Sequence, residues 1–325
     1  MVKAVVLAGG FGTRLRPLTN IIPKPLVPIA GVPLLQRIIN TLPPSVEEVI
    51  VAAGYRGHDI EKYFSENAQN APVVVVTEHK PLGTAGALWN LRNSIDSTFL
   101  VLNGDVVNSL SLADMVAFHR SRNAVATISL WEVEDPTAFG VVRLSDGSAI
   151  AEFREKPSRE EAFSNLINAG TYVMEPGIFE HMNHEHFSLE REIFPKLTDG
   201  QLHGFRFEGY WIDCGSREMF LNAQQLLINS EGLGIEKSAK MDGCSLNRPV
   251  AVEKGARLKG VRLGPNVYVE KGAVIEEGSV IENSAVLSNA SIGRNCRITG
   301  SIVCPGAVLE DSTVSDNQII GEPSL

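Results

Sequence analysis

Along the first 125 residues, short runs of β-branched and apolar residues alternate with segments whose apolar positions recur three and four apart. The runs Lys3 to Ala8, Glu48 to Ala53, Val73 to Thr77 and Phe99 to Leu102 read as buried strands. The intervening segments read as helices. Val32 to Leu42 places Leu34, Leu35, Ile38, Ile39 and Leu42 on one stripe and stops at Pro43-Pro44. His58 to Ala68 follows, then Thr84 to Ile95 with Thr84 as its N-cap, then a helix from Ser111 whose Ser-Leu-Ala-Asp start resembles a capping box. Strand and helix joined by short connections predict an α/β domain, Rossmann-like, with a mainly parallel sheet covered on both faces.

From Ala124 to Asp213 the pattern shifts to strands joined by turns, with Asp146-Gly147 as a hairpin signal. Ser188 to Leu197 reads as a short amphipathic packing helix broken at Pro195, and Arg217 to Ser230 as a longer one. After Glu231-Gly-Leu-Gly234 the rhythm changes again. Leu263, Val269, Ile275, Ile281 and Leu287 recur every sixth position; after a one-residue slip come Ile292 and Ile298, and then Ile302, Val308, Val314 and Ile320. A six-residue period predicts a parallel β-helix, in which each coil buries its apolar column by stacking on the next. Two domains are expected, residues 1–230 and 231–325.

Composition narrows the function classes. The 325 residues are 44% hydrophobic and 21% charged, enough for a large core, and the net charge of −9 argues against a general nucleic-acid binder. An anionic ligand would have to be held by local basic groups. No apolar run reaches the ~20 residues of a membrane span and no signal-peptide h-region opens the chain, so a cytoplasmic protein is expected. The four cysteines lack CxxC spacing and the seven histidines lack metal spacing.

Chemistry concentrates where the first strand ends. Leu7-Ala-Gly-Gly-Phe-Gly-Thr-Arg-Leu-Arg-Pro-Leu-Thr19 is followed by Pro23-Lys24-Pro25. Gly9, Gly10 and Gly12 let backbone N–H groups approach a phosphate chain, and Arg14 and Lys24 bring positive charge to it. A Walker loop is excluded because no Gly-Lys-Ser/Thr triplet follows, and a dinucleotide fingerprint because the third glycine position is Leu15. Glu78-His-Lys-Pro-Leu-Gly83-Thr84-Ala-Gly86 offers glycines against a flat ligand and a helix N-terminus aimed at the same cleft. Leu100-Val-Leu-Asn-Gly-Asp105 ends a strand in a carboxylate that suits either a phosphate-bridging divalent metal or a helix cap or turn. Phe139-Gly140, Glu155-Lys156-Pro157 and Asn168-Ala-Gly170 supply a close backbone approach, a hydroxyl acceptor beside a cation, and an amide that both donates and accepts.

Gly-Gly-x-Gly-Thr13-Arg-Leu-x-Pro-Leu-Thr with Pro-Lys-Pro resembles the signature of the sugar-phosphate nucleotidyltransferases, also called NDP-sugar pyrophosphorylases. The resemblance extends through Gly209-Tyr-Trp-Ile-Asp213-Cys-Gly, similar to a Trp-x-Asp-x-Gly segment, and through a hexapeptide region similar to the family's left-handed β-helix. It implies a Mg2+-dependent enzyme that joins an NTP to a sugar 1-phosphate and releases pyrophosphate. Arg14, Lys24 and Asp105 would be catalytic, and Asp105 and Asp213 would hold the metal. Leu7, Gly9, Gly10, Gly12, Thr13, Arg14, Glu78, Gly83 and Thr84 would bind the nucleotide; Gly140, Glu155, Lys156 and Asn168 would bind the sugar phosphate. Cys214 stands where an aliphatic residue is expected.

Leu-Asn-Gly-Asp-Val and Pro-Leu-Gly-Thr-Ala-Gly look most like mannose-1-phosphate guanylyltransferases, which implies GTP and GDP-mannose; glucose 1-phosphate with UTP or dTTP is the alternative. A regulatory NDP-sugar-binding subunit would be expected to have lost some charged ligands, and Arg14, Lys24, Asp105, Lys156 and Asp213 are all present. An acyltransferase β-helix would need a general base, usually histidine, and no histidine follows His203. Such β-helices commonly associate, so a homo-oligomer is expected.

Overall fold

A computed structural model describes residues 2–54, 56–78, 80–145, 147–182 and 187–321. The chain divides into two compact units, Met1–Gly10 with Arg37–Trp211, and Phe11–Gln36 with Ile212–Leu325.

The first unit is built on a nine-stranded mixed sheet. Its strands are β1 (Val2–Ala8), β2 (Val46–Ala53), β3 (Val73–Thr77), β4 (Phe99–Asn103), β5 (Ala126–Glu132), β6 (Gly140–Leu144), β7 (Ile150–Glu155), β8 (Leu166–Met174) and β9 (Leu202–Arg206). The order is β7-β6-β8-β4-β1-β2-β3, with β5 pairing both β8 and β9. Strands β4, β1, β2 and β3 run parallel, and β8 runs antiparallel to β4. Ala4, Val5 and Val6 of β1 are fully buried, as a central strand covered on both faces requires. The core joins Val5, Leu88, Phe99, Val101, Ile128, Leu130, Tyr172 and Phe194.

Helices fill the connections: α1 (Leu34–Asn40), α2 (Gly57–Glu66), α3 (Gly83–Leu91) and α4 (Leu112–Arg122). The expected start of α1 at Val32 is shortened because Val32-Pro33 pairs with Pro28-Ile29 as a small antiparallel ribbon. Ser111 caps α4, its Oγ accepting from Asp114 N at 3.3 Å. Thr84 is not the cap of α3. The N-cap is Leu82, and Thr84 lies inside the first turn. Its hydroxyl turns away from the helix to Glu190, and the first-turn amides of Ala85 and Gly86 donate instead to the Phe187 carbonyl at 3.2 and 3.4 Å. Ser188 opens a π-helical turn, Leu189–Ile193, that runs into a 3-10 turn at Phe194–Lys196, where Pro195 interrupts regular helix. The hairpin signal at Asp146 and residue His79 of the base loop lie outside the described residues; β6 and β7 do pair antiparallel.

In the second unit, α5 (Arg217–Ser230) is followed by a parallel β-helix of three five-stranded sheets. Residues 257, 274, 291 and 308 stack in one column, as do 285, 302 and 319 in another, a spacing of 17 residues. A coil is therefore three hexads less one residue, with an 18-residue coil where Arg262 meets Val280. This explains the slip in the sequence rhythm and corrects its last phase. Val308 and Val314 are 66% and 73% exposed. The inward positions are Leu309 and Ser315, which stack on Ile292 and Ile298.

Candidate active site

In the first unit, parallel pairing of β1 with β4 sets Leu7 opposite Asn103. Gly104 N donates to the Leu7 carbonyl at 2.9 Å, so Asp105 emerges beside the carboxyl end of β1. Ligands collect at that edge of an open α/β sheet. Gly9 faces Glu78, whose Oε2 lies 3.6 Å from where a Cβ on Gly9 would stand, while nothing lies within 4 Å of that point on Gly10. Glu78 N donates to Ala53 O at 2.7 Å, and burial pushes its carboxyl above the usual range against a backbone hydrogen bond from Leu82. Gly83 abuts the Phe187 carbonyl. The Ala85 and Gly86 amides of the first turn of α3 are thus taken up by the protein itself.

The sugar-phosphate candidates converge. Gly140 and Glu155 are direct cross-strand partners. A Cβ on Gly140 would lie 2.6 Å from Phe153 Cζ and 2.9 Å from Glu155 Oε2, so only glycine leaves room for both side chains. The Glu155 carboxyl is raised by burial first and by the charge of Glu190 second; the Lys156 ammonium, 3.7 Å from Oε1, opposes them. Lys156 has a left-handed backbone, φ 47°, and a half-exposed side chain. In β8, Asn168 Nδ2 donates to Tyr172 Oη at 3.0 Å and Asn168 Oδ1 accepts from Gly170 N at 3.0 Å. The pairing of β8 with β5 is irregular between Asn168 and Tyr172, and this break turns the amide out of the ladder. Trp211 Nε1 donates to Ala169 O at 2.9 Å, and its ring meets Phe139 edge-on at 5.3 Å. Phe139-Gly140, Asn168-Ala-Gly170 and Trp211, three separate signals in the sequence, therefore form one neighbourhood.

The route from Asp105 is tied to the segment before Asp213. Ser109 N donates to Tyr210 O at 3.0 Å, and Tyr210 N donates to Ser109 Oγ at 2.9 Å. Tyr172 and Glu190 belong to the polar network of this unit and carried no separate signal. A lone tyrosine in an apolar strand and a glutamate in an amphipathic segment look like core and solvated face.

In the second unit, Gly12 has φ 62°, and a Cβ there would meet Thr19 Cγ2 at 2.8 Å and Lys24 Cβ at 3.1 Å. Glycine lets the turn close over Lys24. Thr19 Oγ1 pins it by donating to Gly12 O at 2.9 Å. Lys24 is only 9% exposed and sits in the 3-10 turn Lys24–Leu26, held by Leu26 N to Pro23 O at 2.8 Å. Thr13 and Arg14 form another 3-10 turn, and both are exposed. The Arg14 guanidinium and Asp213 Oδ1 flank Gly215, the latter 2.8 Å from where a Cβ would stand. Cys214 is buried, 1% exposed, with Sγ 3.8 Å from Ile212 O, so the small thiol fills the place expected for an aliphatic side chain.

Among the described residues no group of three or more His, Cys, Asp or Glu is arranged to hold a metal by itself. A divalent cation drawing on Asp105 or Asp213 would need phosphate oxygens or water to complete its shell, which is how Mg2+ is usually held. Nor, among the described residues, is any helix long and apolar enough to cross a membrane.

Residues 3–230 match the nucleotidyl transferase family, and residues 235–324 match the GMPPB C-terminal domain. A mannose-1-phosphate guanyltransferase of Schizosaccharomyces pombe is 38% identical over 239 residues, 70% of this chain and 65% of its own. A mannose-1-phosphate guanylyltransferase catalytic subunit beta of Drosophila pseudoobscura pseudoobscura is 37% identical over 235 residues, 70% of this chain and 63% of its own. The chain thus spans just under two thirds of these relatives. The crystal structure of HddC from Yersinia pseudotuberculosis, also solved with GMP-PN, superposes with a TM-score of 0.58 at 31% identity, covering 69% of this chain and 99% of that one. With its glycine-rich loop, its mixed sheet and its C-terminal parallel β-helix, this chain belongs to the nucleotidyl transferase family.

Proposed function

We propose that the protein is a mannose-1-phosphate guanylyltransferase, converting GTP and mannose 1-phosphate to GDP-mannose and pyrophosphate. The observation that carries the reading is the likeness, at 37–38% identity over 70% of the chain, to proteins of that name. HddC, solved with GMP-PN, adds support for a guanine nucleotide. The domain division proposed is a catalytic region, residues 1–230, and a β-helix, residues 231–325, that serves for self-association.

In this reading an oxygen of the mannose 1-phosphate attacks the α-phosphorus of GTP. A new P–O bond forms as the bond from the α-phosphorus to the bridging oxygen breaks, and the electron pair leaves with pyrophosphate. No covalent enzyme intermediate is needed, so catalysis rests on alignment and charge. Gly9, Gly10, Gly12, Thr13 and Arg14 hold the β- and γ-phosphates, and Lys24 stabilises charge at the α-phosphate. Leu7, Glu78, Gly83 and Thr84 line the base and ribose side. Glu155 and Asn168 take sugar hydroxyls beside Gly140, and Lys156 aims the attacking phosphate. Asp105 and Asp213 are the carboxylates proposed for Mg2+, which when bound neutralises phosphate charge. Lys24→Ala and Asp105→Asn each test the assignment in a pyrophosphate-release assay. Turnover left intact by both would refute it.

A further inference from the structure

We infer that Glu190 is a positioning residue that orients the Asn168 amide and ties it to the loop at Thr84; the inference rests on the assignment of Asn168 to the sugar phosphate above. One oxygen of Glu190, Oε2, accepts from Thr84 Oγ1 at 2.7 Å and from Ser188 Oγ at 2.6 Å. The other, Oε1, accepts from Tyr172 Oη at 3.3 Å, and Tyr172 Oη accepts from Asn168 Nδ2 at 3.0 Å. Thr84 is held from its other side as well, because Leu189 N donates to Thr84 Oγ1 at 2.9 Å.

The direction of these bonds follows from the chemistry of the groups. An ionised carboxylate only accepts, so each hydroxyl facing it must spend its single proton on it. Tyr172 Oη is then left with lone pairs alone, and only the NH2 side of the Asn168 amide satisfies it. The backbone N–H of Gly170 fixes the other side by binding Asn168 Oδ1. Glu190, acting through Tyr172, and the Gly170 N–H together set which way round Asn168 presents its remaining N–H and lone pair to a ligand. Tyr172 is fully buried, so losing a partner there costs its hydroxyl a bond that bulk water does not replace. The same carboxylate is the charge that raises Glu155, the other hydroxyl acceptor of the site. A glutamine at 190 keeps the shape and loses the rule, since its NH2 could donate to Tyr172 Oη and compete there with Asn168 Nδ2.

The test uses the full chain with Glu190→Gln and Tyr172→Phe. In the ligand-free protein, the side-chain amide protons of Asn168 are followed by NMR with asparagine labelled. The expected result is a slowly exchanging, hydrogen-bonded amide proton that loses its protection in both variants. Protection unchanged in both overturns the inference, whatever the substrates are. The second measurement is steady-state kinetics with the NTP and sugar 1-phosphate that the unmodified chain turns over. KM for the sugar phosphate should rise by about 10-fold in both variants, and in Tyr172→Phe, which leaves the Glu190–Thr84 bond in place, KM for the NTP should move less than about three-fold, as loss of one polar substrate contact predicts. An equal rise in both constants in Tyr172→Phe overturns the positioning role. Turnover of a pair other than GTP and mannose 1-phosphate would refute the substrate reading and leave this test in force.

Discussion

Gly140 stands directly across the β6–β7 pair from Glu155, close enough that a Cβ on Gly140 would lie 2.9 Å from the carboxylate Oε2. The backbone of one strand thereby fixes where the acceptor of the next can rest. Gly140→Ala should push Glu155 and Phe153 aside. KM for the sugar 1-phosphate is expected to rise by about 10-fold, with KM for the NTP little changed, because the displaced group contacts only one substrate in this account. Steady-state kinetics with each substrate varied in turn checks the split.

Lys24 is held in a proline-bounded turn beneath Gly12 and is 9% exposed. In the proposed mechanism this charge meets the transition state without having to reorganise. Lys24→Met keeps most of the stem and removes the ammonium. Turnover should fall by about 10²- to 10³-fold, the usual loss for one preorganised charge-stabilising group. Circular dichroism and kcat measured on the same preparation separate this from unfolding.

Gln224 on α5 is 3% exposed, and neither its Oε1 nor its Nε2 has a hydrogen-bond partner among the described residues. Burying an amide without partners costs free energy that a methionine of similar shape would not. Gln224→Met should raise stability by about 1 kcal/mol or more in urea denaturation, with activity unchanged.

Glu270, inside the β-helix and 4% exposed, is pushed up from 4.5 to about 8, chiefly by burial and then by the charge of Glu253, against Lys271 and a hydrogen bond from Ser288 N. Between those two pH values the folded chain holds a proton that the unfolded chain has released. This group's contribution is therefore fully present below about pH 4.5 and is lost as pH rises through about 8, a change on the order of a few kcal/mol. Thermal melts from pH 5 to pH 8.5 should show this decline, and Glu270→Gln should flatten it and raise the midpoint at pH 8.5.

Much of this was legible because periodicity and turn chemistry are local. Val73–Thr77 and Arg217–Ser230 follow directly from their runs. What the chain could not reveal by itself depends on partners distant in sequence. Thr84 looked like a cap, but Phe187, more than a hundred residues later, supplies the acceptor for the α3 amides. Val308 and Val314 fit the hexad count but point outward, because phase is set by stacking on the coil 17 residues before. Glu190 was hidden in an amphipathic segment, where its hydroxyl partners could be seen only after folding.

The central claim is most directly tested by pyrophosphate release with Mg2+ and the full chain, with GTP, UTP, dTTP, ATP and CTP each offered with mannose, glucose and N-acetylglucosamine 1-phosphates. The account predicts rapid release with GTP and mannose 1-phosphate and at least about 10-fold lower kcat/KM with every other pair. Release that favours glucose 1-phosphate with UTP or dTTP, or none with any pair, would contradict it.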